Sequence, residues 1–135
     1  MERIFNWISI ALGVIGGLLA KLFGGFDVLF YVLVALVVID YITGLLKAIY
    51  LKQVSSNIGF KGLCKKVIIF LVVVVSNLIG VLMGDNLAIR EVVIVFFIAN
   101  EGISILENAA VVYPNIPSSL KDVLLQLRDK NGKGE

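Results

Sequence analysis

The sequence predicts an all-α integral membrane protein with four transmembrane helices, three if the first is only interfacial, and a C-terminal amphipathic helix. Three observations predict it. Hydrophobic residues make up 59% of the 135, against roughly 45–50% in soluble domains. Charged residues are 16%, where about 25% is usual, and mean hydropathy is +1.01. The apolar residues gather in four runs, each near the ~20 residues that cross a hydrocarbon core of roughly 30 Å. A soluble chain this small would need more polar surface than 12 basic and 10 acidic residues supply.

Taken in order, the predicted segments are about 4–23, 28–47, 66–84 and 92–113, which together make a membrane domain over 1–114. The first is glycine-rich and ends at Lys21. Its apolar stretch is longer than a signal-peptide core, and no clear cleavage site follows. The second and third are rich in Val and Ile, residues that favour strands in water. Their length, and the demand of lipid for internally bonded backbone, favour helix instead. Pro114 and Pro117 end the fourth. Residues 115–135 then form a cytoplasmic tail. In it Leu120, Val123, Leu124 and Leu127 make an apolar stripe at helical spacing. That stripe is expected to lie on the membrane surface or the middle loop, or else to bind a partner. Residues 130–135 are expected to fray.

Several chemistries are excluded. With no histidine and one cysteine, a disulfide, a His/Cys metal site and Ser-His or Cys-His catalysis cannot form within one chain. No catalytic residue, cofactor or metal is expected. A net charge of +2 is too small to imply nucleic acid. The single thiol, Cys64, lies in a basic stretch and reads as a plain reduced cysteine, with palmitoylation the alternative that its position allows.

Orientation follows from Lys and Arg beside the spans. In a four-span arrangement Arg3, the loop lysines Lys47, Lys52, Lys61, Lys65 and Lys66, and the tail residues Lys121, Arg128, Lys130 and Lys133 share one side. The other side has Lys21 and Arg90. Both termini and the middle loop are therefore expected in the cytoplasm, with the basic loop on anionic headgroups.

The residues that are costly in lipid carry the functional reading. An acid at the centre of a membrane helix costs about 2.5–3.5 kcal/mol, so Asp40, Glu101 and Glu107 should face protein or water. At about 100° per residue, Asn100, Glu101, Ser104, Glu107 and Asn108 share an arc of roughly 120° on the fourth helix. On the second helix Asp40, Thr43, Gly44 and Lys47 share a face. Asp40 lies about 10 Å along the axis from Lys47, too far to pair, so a partner on another helix is expected, Asn77 being one candidate. Two readings of the polar stripe stay open: a satisfied seam between helices, or a surface that lines water once copies assemble. Small residues mark close helix approach in lipid: Gly13 and Gly17 with Ser9, Gly16 with Ala20 and Gly24, and the pair Gly80 and Gly84. They favour a homo-oligomer.

Read in order, three stretches carry a family likeness: Gly24-Gly25-Phe26-Asp27 with Asp40-Tyr41-Ile42-Thr43-Gly44-Leu45-Leu46-Lys47-Ala48; Ser55-Ser56-Asn57-Ile58-Gly59-Phe60-Lys61-Gly62 with Lys65-Lys66; and Ala99-Asn100-Glu101-Gly102-Ile103-Ser104-Ile105-Leu106-Glu107-Asn108. Together they resemble the toxin-secretion/phage-lysis holins of clostridial and other Gram-positive phages, over roughly residues 24–127. The last stretch is the most specific. The chain departs from the family pattern where members often carry an acid late in the third segment, here Asn77 and Gly80, and a Trp where Phe26 stands. The resemblance implies a phage-encoded protein of the bacterial cytoplasmic membrane. It would assemble and open lesions at a set time, releasing an endolysin or an exported toxin without necessarily touching it. Collapse of the membrane potential is a plausible trigger, because charge at depth feels about 2.3 kcal/mol per 100 mV. The alternatives are a small proton-coupled multidrug-type transporter and a membrane adaptor acting through its tail helix.

Overall fold

The computed structural model describes residues 1–132 and is helical throughout, with no strand among the described residues. The helices are α1 (Glu2–Phe23), α2 (Val28–Tyr50), α3 (Ser56–Leu82), α4 (Leu87–Val112) and α5 (Ser118–Gly132). Among the described residues, α1, α2 and α3 are long and apolar enough to cross a membrane. Helix α4 is 26 residues long and carries Arg90, Glu91, Glu101 and Glu107.

Helix α3 starts at Ser56, ten residues before the predicted segment at 66. Lys61, Lys65 and Lys66 are therefore helical, not loop, residues. The connection shrinks to 51–55, where Lys52 ends α2 with φ +56°. Its N–H donates to the Ile49 carbonyl, and that of Gln53 to the Ala48 carbonyl, the double bond that closes many helix C-termini.

Helices α2, α3 and α4 pack around Leu33, Val37, Ile69, Val73 and Ile94. This apolar layer lies in the half of the bundle nearer the α1–α2 and α3–α4 turns. Phe23 extends it, its ring 4.8 Å from Phe30. Helix α1 stands apart: none of its residues is buried against the described residues. A Cβ at Gly13, Gly16 or Gly17 would meet nothing within 4 Å.

A clasp joins the end of α1 to the bundle. Gly24 leaves the helix at φ +78°. Asn77 on α3 donates to the carbonyls of Lys21 and Leu22 at 3.2 and 3.0 Å. Arg90 on α4 is 2% exposed. Its Nε donates to the Phe23 carbonyl, its Nη2 to the Gly25 carbonyl at 2.9 Å, and both Nη atoms to the Asp27 carboxylate at 2.8 and 3.0 Å. Asp27 also accepts from the Phe30 N–H and so caps α2. The Arg90 guanidinium holds the Asp27 carboxyl below its ordinary range. A Cβ at Gly24 would collide with both Arg90 and Asn77, and its φ suits glycine. Gly24→Ala is thus expected to lower the unfolding midpoint in detergent and to raise protease cleavage between α1 and α2. Cleavage at the wild-type rate would show that the clasp tolerates the added methyl.

Two packing expectations change. Gly80 and Gly84 do not form a helix–helix ridge. The Gly80 carbonyl accepts from the Asn86 N–H at 2.9 Å and a Cβ there would strike the Asn86 backbone, while Gly84 turns the chain at φ +87°. They build the α3–α4 turn. The tail helix α5 does not pack on the middle connection. It folds back along α4 with Leu124 against Gly102, where a Cβ would sit 3.0 Å from both Leu124 methyls. Lys121 reaches Glu107 at 3.9 Å. Of the expected tail stripe, Leu120, Val123 and Leu127 remain exposed. Within the expected frayed end α5 stays helical through Gly132, and 133–135 lie outside the described residues.

Candidate functional site

Three charged side chains from three helices meet at one depth. Asp40 lies ten residues before the end of α2, Lys66 ten residues after the start of α3, and Glu101 eleven before the end of α4. At ~1.5 Å per residue each is about 15 Å from its helix end, half of a ~30 Å hydrocarbon core. The Lys66 ammonium donates to Asp40 Oδ2 and to Glu101 Oε2, bridging the two carboxylates. The side chains are 14%, 8% and 5% exposed respectively, so the pairing is screened little by water.

Polar neighbours complete the cluster. Asn108, two turns along α4 from Glu101, donates to Asp40 Oδ1 at 3.0 Å and to Thr43 Oγ1 at 3.2 Å. Thr43 donates to the Asp40 carbonyl at 3.0 Å. Gly44 admits Asn108 against α2, its Cβ position 3.6 Å from Nδ2. No buried side-chain nitrogen or oxygen lacks a partner among the described residues. That is the arrangement a charged group needs to persist in a low-dielectric setting.

The polar arc of α4 divides by angle. Glu101 and Asn108, near 100° and 80°, turn inward to Lys66 and Asp40. Ser104, near 40°, and Asn100, at 0°, line an adjoining cavity. Glu107, near −20°, faces outward and pairs with Lys121 across to α5. Asn77 is not the partner of Asp40; it belongs to the α1 clasp, and Lys66 takes the role expected of it. Lys66 in turn leaves the expected headgroup-anchoring set. Lys52, Lys61 and Lys65 are exposed and Lys47 half-buried at the same end of the bundle.

The cavity has a volume of 490 Å³ and lies between the basic-end halves of α2, α3 and α4. Glu101, Asp40 and Lys66 line one end, and Val54 and Ser55 reach it from the α2–α3 connection. The sequence reading did not anticipate the clasp residue Arg90, the bridging Lys66 or the α5-facing Gly102. A signal for Lys66 was present: Gly59, Gly62, Lys66, Ile69, Val73, Ser76 and Gly80 recur at alternating spacings of three and four, the period of one inward helix face.

Comparison with known proteins identifies relatives by sequence. The bacteriophage holin family matches residues 17–129. A protein named probable holin, from Bacillus phage phi105, is 39% identical over 112 residues, which is 83% of this chain and 82% of that protein. The uncharacterized protein Lmo0128 of Listeria monocytogenes is 41% identical over 135 residues, 100% of this chain and 94% of its own. An uncharacterized 14.9 kDa protein from the nagH 3′ region of Clostridium perfringens is 37% identical over 131 residues, 96% and 99% of the two chains. No solved structure matches. A family match over most of the chain, on a bundle of long apolar helices with charge paired inside it, leads to one assignment: the chain belongs to the bacteriophage holin family.

Proposed function

We propose that this chain acts as a holin of the bacterial cytoplasmic membrane, self-assembling and then opening lesions through which a cytosolic endolysin reaches the cell wall. In this reading α1 to α4 all span, the Lys52 end of the bundle faces the cytoplasm with the N-terminus and the α4–α5 connection, and the clasp faces outward. The distribution of Lys and Arg supports that orientation. Membership of the holin family supports the activity.

The observation that carries the mechanism is the Asp40–Lys66–Glu101 bridge. Charged groups at mid-membrane depth are stable in lipid only while paired within the protein. The same groups favour a water-lined surface once helices separate. The bridge therefore permits two states of one chain: a closed bundle with its charges internal, and an assembled state in which they are wet. The exposed glycine face of α1 suits close contact with a second copy.

The test is controlled expression with a co-expressed cytosolic endolysin, following membrane potential and optical density together. Abrupt depolarisation followed at once by endolysin-dependent lysis is expected. Growth with an intact potential, or proton-coupled solute movement in sealed vesicles without leak of larger solutes, would favour a transporter instead. Glu101→Gln is expected to shift the onset of lysis at equal expression, and Glu107→Gln to shift it less, because Glu107 lies outside the bridge. Identical onset in wild type and Glu101→Gln would remove the bridge from the mechanism.

A further inference from the structure

We propose that the 490 Å³ cavity beside the bridge is a binding site for an amphiphilic organic monocation. Its volume lies in the ~300–1,000 Å³ range of small-molecule sites. The charge at its floor selects the sign of the ligand. Two carboxylates, Asp40 and Glu101, flank a single ammonium there. Glu101 Oε2 accepts from Lys66. Glu101 lines the cavity with a side chain only 5% exposed. Asn100 and Ser104 offer further acceptor oxygens at the same end.

The walls select an apolar body. Tyr41 and Phe97 contribute aromatic surface, which also attracts cations. Space is kept by glycines within a helix, where glycine costs about 1 kcal/mol relative to alanine. The Cβ position of Gly62 lies 3.8 Å from Tyr41 Cε2 and that of Gly59 3.4 Å from Tyr41 Oη. A phosphate headgroup would meet two carboxyl groups against one ammonium at the floor. The other lysine lining the cavity, Lys65, is exposed. The inference concerns occupancy alone and does not depend on lesion formation.

The probe is adamantylammonium, with neutral 1-adamantanol as its isostere, measured by equilibrium dialysis against the full chain in nanodiscs of zwitterionic lipid. Saturable binding of one amine per chain is expected, with at least ten-fold weaker binding of the alcohol. Glu101→Gln should weaken amine binding at least ten-fold. Gly62→Leu should abolish it by filling the cavity, with wild-type helicity by circular dichroism showing that the fold is kept. Glu91→Gln, at the far end of α4, should bind as wild type. Absence of saturable binding, equal binding of amine and alcohol, or wild-type binding by Gly62→Leu would each overturn the proposal. In nanodiscs doped with anionic phospholipid, saturable uptake of that lipid that the amine fails to displace would overturn it too.

Discussion

Lys66→Met is expected to lower the stability of the bundle by about 3–5 kcal/mol, the usual cost of removing one partner from a buried ion pair. Methionine keeps most of the side-chain volume and leaves Asp40 and Glu101 facing one another without the ammonium that joins them. Reversible unfolding in mixed detergent micelles, followed by helicity, would measure the loss. The triple variant Asp40→Asn, Lys66→Met, Glu101→Gln should recover most of it, because neutral amides can bond across the gap without an unpaired charge. A single variant as stable as wild type would show that the three groups do not interact at depth. A triple variant no better than the single would mean that methionine fails for packing reasons rather than for charge.

Arg90→Ala is expected to cost about 3 kcal/mol and to detach α1 from the bundle. Its donor groups serve two backbone carbonyls and one carboxylate, and hydrogen bonds from a charged donor contribute about 1.5–3 kcal/mol each, less than additively. The Asn77 bonds and the Phe23–Phe70 ring contact would still tie the end of α1 to α3. Labelling of an introduced Phe26→Cys, in a Cys64→Ser background, should accelerate relative to the same background with Arg90 intact. Arg90→Lys should recover less than half of the lost stability, since an ammonium cannot present the planar fork that meets both Asp27 oxygens. The sign of the pH dependence follows from Asp27, whose carboxyl Arg90 holds below its ordinary range. The stabilisation is complete above the ordinary aspartate range and is lost as pH falls through the lowered value. Asp27→Asn should flatten that acid limb, and an unchanged limb would assign it to other carboxylates.

The helical spans were legible because apolar run length is a one-dimensional property that the bilayer thickness reads directly. The polar arc on α4 was legible because helix periodicity converts spacing into angle. Lys66 was misread for a related reason. It sits at the end of a basic stretch, and an apolar-run criterion begins the helix where the charges stop, although α3 has already made three turns by then. Small-residue spacing assigned Gly80 and Gly84 to a ridge, because small residues look alike in sequence whether they meet a second helix or a turn.

The sequence by itself determined the membrane class, the approximate positions of the long apolar helices and the presence of acids that lipid would reject. Only the tertiary structure decided the partners: Lys66 for Asp40 and Glu101, Asn108 for Asp40, Arg90 for Asp27, and Leu124 for Gly102. Periodicity specifies the face of a helix on which a side chain lies. Which two faces meet, and at what axial register, depends on the packing of all the helices together, and a shift of one turn, about 5.4 Å, is enough to exchange one partner for another.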